Sequence, residues 1–333
     1  MNIIKDNRRQ HSFSKTTFSN YKKTSVMKEL LNSLIKNDIE GSCFWSAECV
    51  CSGYYVDLWN LIINYSCEYI NLANPRLILL INRDLQKFKQ IINEEDDVMN
   101  LRNNVNVRKL FGEIFVIICS SNRKTKYQSI SIKDSEVDLN YVSSKLVAPN
   151  TDYVSKYFKL NDPKELYMCL NEFLYQLIEC ENFNMVCYWY EWMVHFNNMC
   201  IKKKSKIKCV VRDFIPENLE KYNTDGLWII WEIFFNLSEK KGKGVSSLMQ
   251  NLFEIFILKY CTRSWTQRRY VIYYAISLCI DKIDFSIQIN KDMNNVKRMV
   301  NNIDVMYGEI KKNEIIIKEK TKEEIALEAY MQL

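Results

Sequence analysis

The stretch from Cys43 to Lys89, CFWSAECVCSGYYVDLWNLIINYSCEYINLANPRLILLINRDLQKFK, decides the fold class. Its apolar residues recur every three to four positions, the spacing that places them on one face of a helix. Gly53 interrupts the pattern, and Asn74-Pro75 restarts it with a capping residue followed by one that favours the first helical position. We therefore predict helices over 41–52, 54–71 and 77–92.

The rest of the chain repeats this character. Only 7 Gly and 4 Pro occur in 333 residues, which leaves few of the breaks that hairpin-rich sheet proteins need. The sequence therefore predicts an all-α protein with two helical lobes. We expect a disordered basic tail over 1–26, a first lobe over 27–135, a linker over 136–162, a second lobe over 163–292 and a charged, exposed C-terminal helix over 293–333.

The positive charge is concentrated in the N-terminal segment. Residues 1–26 hold six basic residues and one acid, which accounts for five of the chain's net charge of +6. Because the segment is rich in Ser, Thr and Asn and poor in aliphatic residues, we expect it to stay disordered. Such an arm either remains solvated or holds a polyanion, and its candidate contacts to nucleic acid are Arg8, Arg9, Lys22 and Lys23.

A second basic run, KKKSKIK at 202–208, follows the aromatic helical pattern YWYEWMVHF. Cations are favoured at a helix C-terminus, so the run is either a helix cap or a contact to nucleic-acid phosphates. Three arginines lie close to Trp265 in the sequence and form a further basic group. Such a group either binds phosphates and stacks on bases or anchors a protein partner. The candidate nucleic-acid contacts of these two groups are Lys202, Lys203, Lys204, Lys206, Lys208, Arg263, Arg268 and Arg269.

No catalytic motif accompanies these groups. The turn Gly242-Lys243-Gly244 lacks the hydroxyl residue and the upstream glycine of a phosphate-binding loop. His195 is interpreted as a packed or partly exposed helix residue, and the 12 cysteines lack zinc-site spacing and lie mostly in apolar stretches. We expect reduced, buried cysteines, no enzyme activity, no cofactor and no metal.

The apolar stretches are also too short for membrane helices. A span requires ~18 consecutive apolar residues, and none is present. With no recognisable targeting segment, the expectation is a soluble intracellular protein.

The string Ile-Asn-Leu-Ala-Asn-Pro-Arg at 70–76 resembles the Ile-Gly-Leu-Ala-Asp-Pro-Arg element in the C-terminal helical collar of the replication-associated recombination AAA+ proteins, relatives of clamp loaders. Flanking features extend the likeness to about residues 27–130, although the ATPase core is absent and Asn71 stands where Gly is usual. The resemblance implies an oligomerisation domain without ATP-driven activity. Its expected interaction surface comprises Trp59, Asn74, Pro75 and Arg76.

The bias toward Asn, Lys and Ile, with the strings CYWYEWMVHF and RRYVIYYAISL, is similar to an uncharacterised protein shared among nucleocytoplasmic large DNA viruses. Together the two resemblances imply a non-catalytic scaffold of viral DNA replication, repair or processing. We expect it to form homo-oligomers or bind a protein partner, and to contact DNA non-specifically, in the host cytoplasm or virus factory. The alternative is a virion structural or genome-packaging protein.

Overall fold

The computed structural model describes residues 2–95, 97–290 and 292–316. Over these residues the chain is all-α, which confirms the predicted fold class; strand geometry is limited to two isolated bridges, Thr16 with Lys22 and Lys208 with Asp225. The α-helices are α1 Lys23–Lys36, α2 Ile39–Cys51, α3 Tyr55–Tyr65, α4 Leu77–Glu94, α5 Val105–Ser120, α6 Leu139–Lys145, α7 Tyr167–Ile178, α8 Phe183–Lys202, α9 Trp228–Lys240, α10 Lys243–Phe256, α11 Ser264–Gln267, α12 Arg269–Ile280, α13 Met293–Asn301 and α14 Ile303–Lys311.

Short non-α turns connect these helices. Helix α3 continues directly into a π-helical turn, Ser66–Ile70. The 3-10 helices are Gln10–Phe13, Asn71–Ala73, Val98–Asn103, Asp134–Val137, Lys164–Leu166 and Glu217–Tyr222. In the part of the chain that the structure describes, we find no helix with both the length and the apolar character needed to cross a membrane.

Two compact units divide the chain, and neither is a contiguous lobe. Among the described residues, unit 1 is formed by segments 2–62, 84–120 and 290–316, and unit 2 by segments 63–83 and 121–289. The expected lobes, 27–135 and 163–292, are therefore wrong. Both ends of the described chain pack into unit 1, and the expected linker, 136–162, packs within unit 2.

Helix α5 lies at the centre of unit 1, where it contacts α1, α2, α13 and α14. Gly112 allows α14 to approach closely, because a Cβ at this position would come within 3.2 Å of Ile303 Cδ1. On another part of α5, the ring of Phe111 lies 5.5 Å from that of Trp59 and 5.3 Å from that of Phe88. This aromatic cluster joins α3, α4 and α5.

The N-terminal segment also belongs to this core, so the prediction of a disordered tail was wrong. Phe13 and Phe18 are 1% and 0% exposed, and the Tyr54 hydroxyl donates a hydrogen bond to the Phe13 carbonyl at 2.6 Å. The buried carboxylate of Glu48 accepts hydrogen bonds from the backbone N–H and the hydroxyl of Ser19 at 2.7 and 2.8 Å. The prediction counted aliphatic residues only, and it did not count the apolar surface that these two phenylalanines bury.

Arg108 links both ends of the described chain to α5. Its side chain is 1% exposed, and its Nη2 donates to the carbonyl of Asn2 at 2.9 Å while its Nη1 donates to Asp304 Oδ1 at 3.2 Å. The guanidinium also lies 4.1 Å from the ring centroid of Tyr307 and donates through Nε to the carbonyl of Arg102 at 2.6 Å. A buried guanidinium needs acceptors, and here they come from segments far apart in sequence.

The C-terminal segment is not the single exposed helix that its charge pattern indicated. It forms two short helices, α13 and α14, whose buried residues include Val296, Ile303, Tyr307 and Ile310. The remainder of the predicted helix, 317–333, lies outside the described residues. Apolar residues spaced along a mostly charged sequence are sufficient to pack these helices on α5 and α2.

Unit 2 is built around an aromatic core contributed by α9, α10, α11 and α12. Trp228 and Trp231 of α9 are fully buried, and Trp228 lies 4.8 Å from Tyr260 and 5.6 Å from Trp265 between ring centroids. The expected linker also packs within unit 2, because Val154 is 0% exposed and the Tyr157 hydroxyl donates to Asn236 Oδ1 of α9 at 3.0 Å.

A buried ion pair holds the segment before α7 to the loop after α8. The side chains of Arg212 and Asp162 are 1% and 0% exposed, and Arg212 Nη2 lies 2.6 Å from Asp162 Oδ2. The backbone N–H groups of Lys159 and Val210 donate to the same carboxylate. Burial raises the pKa of Asp162, but the hydrogen bonds from Arg212 and the backbone outweigh it and leave the pKa below its ordinary value.

Replacing Phe18 by alanine should lower the free energy of unfolding of unit 1 by about 3–5 kcal/mol, because it removes a fully buried ring and leaves a cavity. The matched control is Ile3→Ala, since Ile3 is 53% exposed and belongs to the same segment. Its cost should stay within about 0.5 kcal/mol. Urea denaturation followed by circular dichroism measures both; equal costs would mean that the N-terminal segment is not packed.

Asp162→Asn should destabilise unit 2 by about 3–5 kcal/mol, because it leaves Arg212 buried without its anionic partner. Glu232→Gln is the control: Glu232 also contacts Arg212, at 2.5 Å, but its side chain is 29% exposed, so we expect about 1 kcal/mol or less. Tryptophan fluorescence in urea is a suitable readout, since five of the 7 tryptophans lie in unit 2.

The same pair predicts the sign of a pH effect. Because the pKa of Asp162 is lowered on folding, its stabilising contribution is complete above the unfolded-state value of about 3.9 and is lost as pH falls through the lower folded-state value. The stability of the unsubstituted protein should therefore fall more steeply below about pH 4 than that of Asp162→Asn. Parallel curves in acid denaturation would contradict this assignment.

Candidate nucleic-acid interface

The four residues expected on an oligomer surface do not form one. Trp59, Asn74 and Pro75 are buried, and Arg76 is half-buried with its Nη2 donating to the Ile287 carbonyl at 2.7 Å. Trp59 lies in the aromatic cluster of unit 1. The Asn74 side chain does not cap α4 but donates to the Ile289 carbonyl at 2.8 Å. The predicted surface is wrong because these side chains are used within the chain.

Asn71 has an unusual backbone conformation at the end of the π-helical turn. Its φ of 37° and ψ of −120° lie in a region that glycine tolerates and other residues rarely adopt. The side-chain oxygen partly compensates by accepting a hydrogen bond from the backbone N–H of Leu72 at 2.7 Å. The conformation explains in physical terms why a glycine would fit this position.

The lysine-rich segment 202–208, here called the lysine loop, begins at the end of α8. Lys204 adopts a left-handed conformation, with φ 59°, just after the helix. The backbone N–H of Lys204 donates to the carbonyl of Ile201 at 3.0 Å, and that of Ser205 donates to the carbonyl of Cys200 at 2.9 Å. These two bonds form a Schellman motif, which stops the helix and turns the chain outward.

Beyond this turn the loop is extended and anchored at alternate residues. Ile207 and Cys209 are 8% and 4% exposed, and the backbone N–H of Cys209 donates to the carbonyl of Thr224 at 3.0 Å. Burial raises the pKa of the Cys209 thiol to about 12, so it remains protonated at neutral pH. Because alternate residues of an extended chain point in opposite directions, the lysines beside these anchors point outward.

All five lysines of the loop are exposed. None of the ion pairs within segments 2–95, 97–290 and 292–316 involves them. The exposed cations are Lys202, Lys203, Lys204, Lys206 and Lys208.

The arginine group around Trp265 is mostly engaged inside unit 2. Trp265 is 1% exposed, and its Nε1 donates to the Tyr260 hydroxyl, so it is not available to stack on bases. Arg268 is 9% exposed and donates to the last carbonyls of α10, and Arg269 lies 3.5 Å from Glu191 Oε1. The prediction of a surface patch was wrong for these residues. Arg263 is exposed.

Asp225 connects this aromatic core to the lysine loop, to the core through its buried carboxyl and to the loop through its backbone. Asp225 Oδ2 accepts the Tyr260 hydroxyl at 2.9 Å, and Asp225 forms the isolated bridge with Lys208. Burial raises the pKa of Asp225, while hydrogen bonds and the charge of Lys206 partly oppose that shift. Sequence reasoning missed Asp225, because its partners lie in separate parts of the sequence.

The basic residues of the N-terminal segment differ in availability. Arg8 donates to both carboxylate oxygens of Asp6, and Lys23 lies 2.7 Å from Asp57 Oδ2 and 4.5 Å from the ring centroid of Tyr54. These two cations are therefore held by unit 1. Arg9 and Lys22 are exposed.

His195 makes a surface contact, and nine of the 12 cysteines are buried. His195 Nε2 lies 2.8 Å from Asp134 Oδ1, but that carboxylate is 81% exposed, which is a surface contact. Among the cysteines, Cys261 differs from the buried ones: burial raises its pKa, but hydrogen bonds from Arg263 and the Ser264 hydroxyl, with the charge of Arg263, leave it below its ordinary value. No cluster of His, Cys, Asp and Glu suitable for a metal is found within the described residues.

Comparison with family models, curated proteins and solved structures gives no significant match. Both sequence resemblances therefore remain predictions.

At Asn71, alanine should be less stable than glycine by about 1–2 kcal/mol, because both substitutions remove the side-chain bond but only glycine relieves the backbone. The control is the same pair at Asn32 within α1, where glycine should be the less stable residue by about 1 kcal/mol. Thermal denaturation of the four variants measures the sign. The same order at both positions would contradict the strained conformation.

Proposed function

We propose that this chain is a non-catalytic scaffold protein of viral DNA replication, repair or processing, and that it holds nucleic acid through the phosphate backbone at the lysine loop. The observation that supports the proposal is the set of five exposed lysines within seven residues. Contacts to phosphates position a protein on DNA without reading its sequence. The proposal therefore includes salt-sensitive binding with little sequence preference.

Helix capping does not account for the whole loop. The field of a helix C-terminus favours cations, but it falls off within the last turn. This reason covers Lys202 and Lys203 at the end of α8. Lys206 and Lys208 lie beyond the Schellman turn, in the extended part of the loop, where the field of the helix does not account for their charge.

The loop is also fixed rather than merely charged. The buried Ile207 within the loop and the buried Cys209 just after it set the direction of the neighbouring Lys206 and Lys208. At Gly226 a Cβ would come within 2.7 Å of Ile207 Cγ2, so a glycine there leaves room for this anchor. Fixing the backbone reduces the entropy that the loop would lose on binding.

The test is the salt dependence of duplex DNA binding by the full chain, measured by fluorescence anisotropy between about 50 and 200 mM salt. Each lysine that contacts a phosphate contributes about 0.9 to the slope of log K against log salt. Replacing all five loop lysines by glutamine should therefore reduce the slope by up to about 4.5 and weaken binding equally for unrelated sequences. Light scattering on the same samples gives the mass of the complex.

The matched control replaces five exposed lysines outside the loop by glutamine, which changes the net charge by the same amount. It uses Lys28, Lys36, Lys243, Lys282 and Lys297. We expect its slope to stay within about 1 of the unsubstituted value. Equal slopes for the two variants would show that only net charge matters and would overturn the assignment to the loop, as would the absence of salt-sensitive binding.

A further inference from the structure

A second basic region lies in unit 1, in a cleft between residues 4–10 and residues 97–103. The cleft has a volume of about 560 Å³, within the range of about 300–1,000 Å³ that is typical of small-molecule sites. Its charged lining consists of Lys5, Asp6, Arg8, Arg9, Asp97 and Arg102. It is separate in sequence from the lysine loop, and both of its walls belong to unit 1.

Arg102 has hydrogen-bonding groups without partners. It is 5% exposed, and its Nη2 donates to the carbonyl of Asp6. Its Nε and Nη1 are buried and have no hydrogen-bond partner among the described residues. Burying the N–H groups of a charged side chain without hydrogen-bond partners costs free energy of folding. We therefore expect a bound acceptor to satisfy them. Arg108 and Arg212, which are each 1% exposed, have such acceptors within the chain.

The two acids of the cleft are already occupied. The Asp6 carboxylate accepts hydrogen bonds from Arg8 Nε and Nη2 and from the backbone N–H of Ile315. Asp97 Oδ1 accepts the backbone N–H of Met99 at 2.9 Å, which caps the 3-10 helix. The charge of Asp6 is thus balanced by Arg8.

The cations that remain define the chemistry of a ligand. Lys5 and Arg9 are exposed at the cleft, and Arg102 lies beneath the N-terminal segment. Three cations face one carboxylate that pairs with no cation among the described residues, that of Asp97, so the cleft attracts an anion. Guanidinium groups suit phosphate, because their planar forks match its oxygens in charge and geometry.

We propose that this cleft binds a small phosphate-bearing molecule, such as a diphosphate or nucleotide, with Lys5 and Arg9 at its rim and Arg102 donating from its base. The bond between Arg102 and the Asp6 carbonyl marks the contact that must adjust for the ligand to reach the buried N–H groups. Binding should therefore tie residues 4–10 more firmly to residues 97–103. This inference is independent of the lysine loop.

The experiment is calorimetric titration of the full chain with inorganic pyrophosphate at constant ionic strength, with thermal denaturation in parallel. One molecule should bind per chain and raise the melting temperature. The double variant Lys5→Gln and Arg9→Gln, which alters exposed side chains, should keep its melting temperature without ligand and bind about tenfold or more weakly. Arg102→Met, with helix content checked by circular dichroism, should also bind at least tenfold more weakly.

Lys15→Gln with Lys22→Gln is the matched control, because both lysines are exposed in the same segment but do not line the cleft. Its affinity should stay within about twofold of the unsubstituted value. The glutamine variant of the lysine loop should also keep pyrophosphate binding, which separates the two sites.

Further arms of the experiment identify the source of the phosphate. A short single-stranded oligonucleotide should compete with pyrophosphate only when it carries a terminal phosphate. Equal competition without that phosphate would mean that the cleft binds nucleic-acid backbone and would overturn the proposal. So would a pyrophosphate response no larger than that to chloride, since solvent would then satisfy Arg102.

Discussion

Buried guanidinium groups are the constraint on which both units depend. A guanidinium always carries its charge and five N–H donors, so it can be buried only where acceptors surround it. Arg108 finds them on Asn2, Arg102 and Asp304, which brings both ends of the described chain onto α5. Arg212 finds them on Asp162, which fixes the expected linker within unit 2. In both cases the charge is satisfied by residues distant in sequence.

The same constraint separates the arginines from the lysines of this chain. Arg268 and Arg269, expected on the surface, are used inside unit 2 as a helix cap and as an ion-pair partner. The lysines of the loop are exposed instead, as compact, strongly hydrated ammonium groups favour. The basic residues of this sequence therefore do not form one basic surface. Some basic residues form hydrogen bonds and ion pairs inside the units, and others stay exposed. The proposed contacts to phosphate depend on the exposed residues and on Arg102.

Local patterns predicted the helices well. The helices expected over 41–52 and 77–92 correspond to α2 and α4, and Gly53 has the positive φ of 73° that a helix stop requires. The helix expected over 54–71 corresponds to α3, but it changes to a π-helical turn at Ser66, which no periodicity indicated. The N-terminal segment was predicted to be disordered from its composition alone. Composition does not show that Phe13 and Phe18 are buried in the core of unit 1.

The sequence by itself determined the all-α class, most helix limits and the charge of the lysine loop, because these depend on spacing over a few neighbouring residues. Only the tertiary structure decided which basic residues remain exposed, how the chain divides into units and where Arg102, with its unpartnered Nε and Nη1, lies. Those properties depend on contacts between distant segments, such as Asn103 with Ile4, whose N–H and carbonyl both bond to the Asn103 side chain at 2.8 Å. No pattern within a single helix specifies such a partner.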